Sequence, residues 1–452
     1  MTAKAAIILA AGQGTRMKSS LPKVMHPIGG RPMVDWSIAL AETIGCEKII
    51  VVTSPAGKQV QDHVREKLGE AAIAVQDPPQ GTGHAVRCAE SALAGFSGDI
   101  VVLYGDTPLI PQSAVQALFE AVETSAGVGV LGFRAADPGA YGRLIQNESG
   151  GLEAIVEAKD ATSDQLKIDL CNSGVLSAPA VKLFDWLSKV KNENAKGEYY
   201  LTDVVALARA DGADCAVVEC DEADVMGVNS RVELAVAETA FQTRRRSELL
   251  DEGVTMTDPA SVYFCHDTHI ENDVLIEPNV VFGPGVSVQT GAVIRAFSHL
   301  EGAVVGSGSV VGPYARLRPG AVLGQGVKVG NFVEVKNVEM ADGAKANHLS
   351  YLGDGSVGAN ANIGAGTIFC NYDGFLKYRT EVGEGAFVGS NSALVAPVKI
   401  GDGAMIGSGS VITKDVDAGA LAVARGRQMQ KTDWAKAFRE RMSAIKAAKK
   451  KG

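Results

Sequence analysis

The sequence has no long apolar run, no paired-cysteine spacing and no excess of positive charge. Its first apolar stretch, IILAA at residues 7–11, is too short to cross a bilayer, and glycines and basic residues follow it rather than a signal-peptide cleavage site. The seven cysteines include no CxxC pair, which favours reduced thiols and a cytoplasmic location over a disulfide framework. The net charge of −9 argues against a nucleic-acid partner, and we also expect no membrane partner.

The chain instead contains two halves with different sequence rhythms. Its 452 residues exceed one ordinary hydrophobic core, so two or more domains are expected. Residues 1–229 alternate apolar runs with helical stretches such as 58–68, 83–94 and 113–123, a pattern typical of an α/β domain with a mostly parallel sheet. Ligands of such domains bind beyond the carboxyl ends of the strands. Residues 230–250 have apolar positions at helical spacing without Gly or Pro, and they predict a linker helix. The predicted strands are the runs AAIILA, KIIVVTS, AIAVQD, DIVVLYGD and VGVLGF.

Residues 251–452 predict a second domain with a six-residue apolar period. Three hexads complete one triangular coil of a parallel β-helix, so each apolar residue should stack on its equivalent one coil along. The insertion CNYDGFLKYRTE at residues 370–381 breaks the period, and a loop in such a solenoid usually marks its binding face. The residues that carry the period are Ile270, Ile276, Phe282, Val288, Ile294, Leu300, Val305, Val311, Leu317, Leu323, Val329, Val335, Met340, Ala346, Leu352, Val357, Ile363, Phe369, Val382, Val388, Leu394, Ile400, Ile406 and Ile412.

A glycine loop, LAAGQGTRMKSSLPK at residues 9–23, follows the first predicted strand. Met17 stands where a dinucleotide fingerprint needs its third glycine and where a Walker A loop needs the glycine before its lysine, so neither motif is present. The loop can still cradle phosphates with its backbone N–H groups, while Arg16 and Lys23 neutralise charge. The alternative is an ordinary strand-to-helix turn with solvated cations.

The stretch ANHLSYLGD at residues 346–354 is unusual among the repeats, because it places Asn347, His348 and Tyr351 together. A lone histidine is more often structural than catalytic. The stretch therefore leaves open whether the second domain is a scaffold or a second enzyme.

Motifs in the first half resemble those of the sugar-nucleotide pyrophosphorylases, nucleotidyltransferases with a glycosyltransferase-A-like, Rossmann-like fold. Joined to NHLSYLGD, NIGAGT and CNYDG in the second half, they resemble the bacterial bifunctional family of N-acetylglucosamine-1-phosphate uridylyltransferases and glucosamine-1-phosphate N-acetyltransferases. The resemblance covers residues 5–430 approximately. The motifs of the first half are GQGTRM with LPK, QGTGHA, LYGDTPL, YGR, IVEAKDA, CNSG, GEYYLTD and GVNSR.

The resemblance implies a bifunctional enzyme of UDP-N-acetylglucosamine synthesis. The second domain would transfer acetyl from acetyl-CoA to glucosamine-1-phosphate. The first would then transfer UMP from UTP to N-acetylglucosamine-1-phosphate, releasing pyrophosphate. The product would supply peptidoglycan and lipopolysaccharide precursors. The resemblance further implies a Mg²⁺ cofactor, a left-handed β-helix and a homotrimer with active sites between neighbouring helices.

For the first domain, the resemblance implies phosphate contacts from Arg16 and Lys23 and Mg²⁺ ligation by Asp106 and Asn229. It also implies recognition of the uracil edge by Gln76, Gly81 and Thr82. From the residues alone, Asp106 could equally cap the helix that DTPL opens. The UDP-sugar positions implied are Leu9, Ala10, Ala11, Gly12, Lys23, Gln76, Gly81, Thr82, Tyr104, Gly105, Asp106, Gly142, Glu157, Asn172 and Asn229, with Tyr200 and Thr202 as weaker candidates.

For the second domain, the resemblance implies that His348 is the general base for the sugar amine, and a neutral imidazole suits that task. The backbone N–H of Ala365 would stabilise the thioester oxyanion. The sugar-phosphate positions implied are Arg318, Lys336, Tyr351, Asn362 and Lys377. The acetyl-CoA positions implied are Ala365, Asn371, Tyr372, Ser390, Ser408 and Arg425.

Two rivals follow from the same motifs. A pyrophosphorylase with a merely regulatory β-helix would need no base at His348. A non-catalytic scaffold that shares both folds could dispense with Arg16, Lys23 and Asp106, yet all three positions are filled. Gln13, where many relatives have lysine, removes one possible phosphate contact.

Overall fold

The computed structural model describes residues 2–12, 14–125, 127–194 and 196–449, so Gln13 lies outside the described residues. The chain divides into two compact units. The first comprises Met1–Asp251 with Phe264–Asp267, and the second comprises Glu252–Tyr263 with Thr268–Gly452.

The first unit is built on a sheet with the strand order β11-β7-β10-β6-β1-β4-β5, from which β8 and β9 extend as a hairpin. The pairs β1–β4, β1–β6, β4–β5 and β7–β11 are parallel, as the alternating pattern predicts. Strand β10 is antiparallel to both β6 and β7. The strands are β1 (Lys4–Leu9), β2 (Pro27–Ile28), β3 (Arg31–Pro32), β4 (Lys48–Thr53), β5 (Ile73–Val75), β6 (Asp99–Tyr104), β7 (Gly129–Arg134), β8 (Arg143–Gln146), β9 (Leu152–Val156), β10 (Leu170–Pro179) and β11 (Ala216–Cys220).

Two apolar clusters cover the opposite faces of this sheet. Ala5 and Ile7 of β1 pack in one cluster and Ala6 and Ile8 in the other, because successive side chains of a strand point to opposite faces. Helices α3, α5 and α6 cover the first cluster, and α1, α2 and α4 cover the second. The helices are α1 (Met33–Thr43), α2 (Lys58–Leu68), α3 (Thr82–Cys88), α4 (Gln112–Ser125), α5 (Ala180–Lys189), α6 (Asp203–Ala210) and α7 (Arg231–Asp251). Single 3₁₀ turns lie at Thr15–Met17, Lys23–Met25, Glu70–Ala72, Ser91–Leu93, Gln165–Lys167, Glu222–Asp224 and Pro259–Ser261.

Helix α7 spans nearly the predicted linker and packs on the first unit. Its Phe241 lies in a small cluster with Ile28 and Met33. The Gln242 side chain donates to the Phe264 carbonyl oxygen at 2.7 Å and accepts from the Phe264 N–H at 2.9 Å. This paired bond fixes the segment Phe264–Asp267 in the first unit.

The second unit is a parallel β-helix, and its strands form a ten-stranded and a thirteen-stranded sheet. All the residues predicted to carry the six-residue period are buried, so the hexapeptide prediction is confirmed. Paired residues in adjacent coils, such as Ile276, Ile294 and Val311, stack in parallel register. The strands are β12 (Thr255–Met256), β13 (His269–Ile270), β14 (Leu275–Ile276), β15 (Val281–Phe282), β16 (Ser287–Val288), β17 (Val293–Ile294), β18 (His299–Leu300), β19 (Ala303–Val305), β20 (Val310–Val311), β21 (Arg316–Leu323), β22 (Lys328–Asn331), β23 (Glu334–Met340), β24 (Lys345–His348), β25 (Tyr351–Val357), β26 (Asn362–Ile363), β27 (Ile368–Cys370), β28 (Thr380–Val382), β29 (Phe387–Val388), β30 (Ala393–Val395), β31 (Val398–Ile400), β32 (Met405–Ile406), β33 (Val411–Ile412) and β34 (Leu421–Ala422).

The described part of the chain closes with helix α8 (Trp434–Lys449), whose residues are exposed. Of the helices that the structure describes, none combines the length and the apolar character needed to span a membrane.

Candidate active sites

A cleft of about 880 Å³ opens at the carboxyl ends of β1, β4, β5 and β6, the edge at which ligands of such sheets bind. The glycine loop lies against it, and Gly105 donates a 3.0 Å backbone hydrogen bond to Leu9. The cleft is lined by these predicted nucleotide-binding residues: Leu9, Ala10, Ala11, Gly12, Lys23, Gln76, Gly81, Thr82, Tyr104 and Asp106. The structure therefore brings these residues together from the ends of separate strands.

Lys23 joins two residues that lie far apart in the sequence. Its ammonium donates to the carboxylate of Asp106 and, at 3.0 Å, to the amide oxygen of Asn229. Lys23 and Asp106 are both largely buried. The Val228 N–H donates to the Asp106 carbonyl oxygen at 2.9 Å, which brings Asn229 to the end of β6. The side-chain oxygens of Asp106 and Asn229 therefore both contact the ammonium nitrogen of Lys23.

This donor pair fits a magnesium ion. Mg²⁺ binds carboxylate and other hard oxygens, and it commonly takes one or two from the protein and the rest from phosphates and water. Asp106 and Asn229 offer a carboxylate and an amide oxygen, and both already contact a cation, the ammonium of Lys23.

The QGTGHA loop is fixed by its contacts with the GEYYLTD segment. Gly81 has a φ of +102°, and a Cβ there would lie 2.6 Å from the carbonyl oxygen of Tyr199, so only glycine fits. The hydroxyl of Thr82 accepts from the Leu201 N–H at 3.2 Å. Buried Gln76 donates through its Nε2 to the carbonyl of Gly81 at 2.9 Å, which leaves its Oε1 available as an acceptor in the cleft.

A second group of predicted residues meets beside this cleft. The Asn172 N–H donates to the Gly142 carbonyl at 2.8 Å, and a Cβ on Gly142 would lie 3.7 Å from the Glu157 carboxylate. Burial raises the pKa of Glu157 despite the nearby charge of Lys196. Glu157, Tyr200 and Thr202 line a cavity of about 390 Å³. The sequence therefore brings a carboxylate and polar side chains together at a site sized for a small polar ligand.

Arg16 differs from the other predicted residues of this half. It is exposed on the 3₁₀ turn Thr15–Met17 and lies outside the lining of the cleft. Tyr104, by contrast, lines the cleft, and burial raises the pKa of its hydroxyl, with Asp106 and Glu157 adding negative charge nearby.

On the β-helix, three predicted cations gather on one face. Arg318 and Lys336 are paired in the register of β21 and β23. The proximity of Lys336 lowers the pKa of Lys377, which the inserted loop supplies. Arg318 forms a 2.7 Å ion pair with Glu334. Crowded cations of this kind are suited to an anion such as a phosphate.

Asp354 organises the floor of this cationic patch. It accepts from the amides of Asn337 at 2.8 Å and Asn371 at 2.5 Å. Burial alone would raise the pKa of Asp354, but these hydrogen bonds and the charges of Lys336 and Lys377 lower it. Asn371, a predicted acetyl-CoA residue, is buried beside the residues predicted to bind the sugar phosphate, with Tyr351 close by across Gly353. Tyr372 is exposed and donates to the Gly374 carbonyl at 2.5 Å.

Four predicted residues of the second domain occupy one corner in successive coils. Backbone hydrogen bonds link these positions from one coil to the next. The N–H of Gly366, which follows Ala365, donates to the His348 carbonyl at 3.1 Å. In the same way, Asn391 donates to the Ala365 carbonyl at 2.7 Å and Gly409 to the Ser390 carbonyl at 2.8 Å. Arg425 donates to the Ser408 carbonyl at 2.8 Å. We call the set His348, Ala365, Ser390 and Ser408 the corner column. Asn362 lies on the ten-stranded sheet beside Lys345, whereas Arg318, Lys336 and Tyr351 lie on the thirteen-stranded sheet.

His348 has a partner that the sequence did not indicate. Its Nδ1 lies 2.8 Å from the Oδ1 of Asn331, the residue paired with it in the preceding coil. Counting back one coil from His348 would have found Asn331, but asparagine alone carries no catalytic signature.

Exposed rings stack along the same corner in the preceding coils. Phe297, Tyr314 and Phe332, which we call the aromatic ladder, have centroids 4.9 and 5.4 Å apart and are about half exposed. All three have positive φ, an uncommon conformation for bulky residues. The ladder ends at His348, whose ring centroid is 6.4 Å from that of Phe332.

Comparison with known proteins covers both units. The MobA-like NTP transferase domain family matches residues 6–157, and the bacterial transferase hexapeptide (six repeats) family matches residues 267–302, 302–337 and 379–414. The chain is 63% identical to the bifunctional protein GlmU of Hyphomonas neptunium, over 99% of this chain and 97% of that protein. It is 58% identical to the GlmU of Maricaulis maris, over 99% and 98% of the two chains, and 57% identical to that of Caulobacter vibrioides, over 99% and 96%. With such identity over nearly its whole length, the chain belongs to the bifunctional GlmU family.

Proposed function

We propose that this enzyme makes UDP-N-acetylglucosamine in two steps, one at each unit. Glucosamine-1-phosphate is acetylated by acetyl-CoA at the β-helix, and the product then receives UMP from UTP at the α/β unit. The observation that carries the proposal is that each unit has its own set of reactive groups: Lys23, Asp106 and Asn229 in one, and His348 beside a cationic patch in the other.

In the uridylyl transfer, the sugar-phosphate oxygen attacks the α-phosphorus of UTP and pyrophosphate leaves in line. Such reactions depend mainly on positioning and on stabilisation of charge. The glycine loop holds the phosphates, and Lys23 moves its charge from Asp106 and Asn229 onto them. Arg16 is exposed, so its side chain would have to change conformation to reach the phosphates. Gln76 offers an acceptor for the N3–H of uracil.

Asp106 and Asn229 would hold Mg²⁺ in this site. The ion would neutralise phosphate charge and orient the triphosphate. Glu157, Asn172 and Gly142, with Tyr200 and Thr202 beside them, would hold the N-acetylglucosamine group, since hydroxyls of a sugar can donate to a carboxylate and to backbone carbonyls.

In the acetyl transfer, the sugar amine attacks the thioester carbonyl of acetyl-CoA. His348 accepts the amine proton as the N–C bond forms, and the C–S bond breaks to release the CoA thiolate. The N–H of Ala365 makes no backbone hydrogen bond within the described part of the chain, so it can donate to the oxyanion. Arg318, Lys336 and Lys377 bind the sugar phosphate, with Tyr351 and Asn362 against the ring. Asn371, Tyr372, Ser390, Ser408 and Arg425 form the acetyl-CoA site.

We further propose a homotrimer in which neighbouring β-helices share each acetyltransferase site. Two observations support it. His348 and Asn362 lie on a different sheet from the cationic patch, so a second copy can bring both sets to one sugar. The aromatic ladder beside His348 is a half-exposed apolar surface suited to an interface.

The proposal assigns residues 1–229 to uridylyl transfer, 230–250 to a linker helix and 251–452 to acetyl transfer. It places the enzyme in the cytoplasm, where UTP and acetyl-CoA are both available.

The test follows free CoA thiol and pyrophosphate separately in the wild type, His348→Ala and His269→Ala. His269 is an exposed histidine of β13 and serves as the matched control. We expect His348→Ala to lose CoA release and to keep pyrophosphate release, while His269→Ala keeps both. CoA release by His348→Ala at the wild-type rate would contradict the role of His348, and absence of CoA release from the wild type would make the β-helix a scaffold.

A further inference from the structure

Asn331 and His348 are the last residues of β22 and β24 and face each other in adjacent coils. The 2.8 Å contact joins the Asn331 amide oxygen to Nδ1 of the imidazole. An amide oxygen can only accept a hydrogen bond, so in the neutral ring Nδ1 carries the proton and Nε2 carries the lone pair.

We propose that Asn331 is a positioning residue for acetyl transfer, which holds His348 in the tautomer whose Nε2 can accept a proton from the sugar amine. The inference rests on the proposed role of His348 as the base. Nε2 makes no hydrogen bond to the residues that the structure describes, so it is available to the substrate.

The close packing of the two coils makes this contact possible. A Cβ on Gly330 would lie only 2.0 Å from the carbonyl oxygen of Asn347, so glycine is required for the coils to approach at this point. The Phe332 ring lies 6.4 Å from the imidazole, centroid to centroid, with an angle of 61° between the ring planes. The His348 carbonyl oxygen accepts from Gly366 and from the Ser350 hydroxyl, both at 3.1 Å, which fixes the backbone.

The neutrality of Asn331 matters as well as its position. A carboxylate at the same place would stabilise the imidazolium form, which cannot accept a proton. An amide orients the ring without adding that charge. The proton balance then closes on His348 alone: Nε2 takes the proton from the amine, and the imidazolium returns it to the departing CoA thiolate.

The experiment compares full-length Asn331→Ala, Asn331→Asp and the control Asn272→Ala, whose exposed side chain donates a 2.9 Å hydrogen bond to Asp273. We expect Asn331→Ala to lower kcat for CoA release about 10- to 100-fold, with KM for both substrates nearly unchanged. In a His348→Ala background, the same substitution should cause no further loss. Asn331→Asp should recover most of kcat at high pH and move the acidic limb of the rate–pH profile to higher pH.

Two results would overturn the inference while leaving the role of His348 intact. One is an unchanged kcat in Asn331→Ala, and the other is an equal loss in the presence and absence of His348. If Asn331→Ala fails to fold, as a lowered melting temperature and lost pyrophosphate release would show, the Asn331→Asp profile decides, because an unmoved acidic limb refutes the inference. Normal CoA release by His348→Ala would instead refute the proposed function.

Discussion

Lys23 donates a 3.0 Å hydrogen bond to the amide oxygen of Asn229, although 206 residues separate them in the sequence. The contact requires the segment before α7 to dock on the end of β6, where Val228 donates to Asp106. The proposed metal ligands are therefore held together by tertiary packing, and the cleft is complete only when that docking is in place.

Replacing Lys23 by alanine should lower kcat for uridylyl transfer about 10²- to 10³-fold, since it removes a buried donor to the phosphates. Acetyl transfer by the same protein should be unchanged. Lys58→Ala, an exposed lysine at the start of α2, is the control. A rate of pyrophosphate release equal to wild type would contradict the assignment.

Asp106→Asn should raise the Mg²⁺ concentration needed for half-maximal uridylyl transfer, because the amide keeps an oxygen but loses the charge that Mg²⁺ prefers. Titration of pyrophosphate release with MgCl₂ measures this. The idea fails if the titration curve of the variant coincides with that of the wild type.

Glu157→Gln should stabilise the first unit at neutral pH while weakening sugar binding. Burial raises the pKa of Glu157 above its ordinary 4.5, so the folded state binds this proton more tightly than the unfolded state. The wild type therefore loses stability as the pH rises from the ordinary pKa to the folded-state pKa. The melting temperature of Glu157→Gln relative to wild type should therefore rise as the pH increases above about 4.5 and level off above the raised folded-state pKa of Glu157. Glu153→Gln, at an exposed glutamate of β9, the strand that Glu157 directly follows, should show no such trend. A difference that is constant with pH would refute the explanation.

Tyr314→Glu should dissociate the proposed trimer, because it places a charge in the middle of the aromatic ladder. Light scattering should give a lower mass, and CoA release should fall while pyrophosphate release persists. Val181→Glu, at an exposed apolar residue of the first unit, provides the comparison. A wild-type mass of one chain at micromolar concentration would reject the trimer outright.

Gly330→Ala should destabilise the β-helix by about 1–3 kcal/mol, the usual penalty for overpacking, because its Cβ would collide with the Asn347 carbonyl. Thermal unfolding followed by circular dichroism measures the change. Gly426→Ala adds a Cβ with nothing within 4 Å and should leave the melting temperature unaltered. Equal melting temperatures for the two variants would show that the coils can relax at Gly330.

The β-helix could be predicted closely from the sequence, since its contacts recur at a fixed spacing. The apolar residues that recur with this period, from Ile270 to Ile412, are all buried. The period alone therefore predicts which side chains stack in the core of the β-helix. The corner column follows from the same spacing once His348 is located. Asn331 was missed because its significance depends on the register between coils and not on its chemistry.

The α/β unit was harder to predict in detail. Helix α1 was not anticipated, and α3 ends at Cys88, before the predicted end at residue 94, with a 3₁₀ turn following at Ser91–Leu93. The antiparallel direction of β10 could not be predicted from its own residues, because a buried strand has the same apolar pattern whether it runs parallel or antiparallel to its neighbour. The return of Phe264–Asp267 to the first unit depends on the side chain of Gln242, a contact that composition cannot reveal.

The corner column has a consequence for ligand length. Adjacent strands lie about 4.8 Å apart, so His348 and Ser408, three coils apart, are separated by about 14 Å along the helix axis. In the proposed acetyl-CoA site, this distance would span an extended ligand whose reactive end lies at His348. Inserting or deleting one whole coil between these residues would change their separation by about 4.8 Å. The groups around His348 would stay in place.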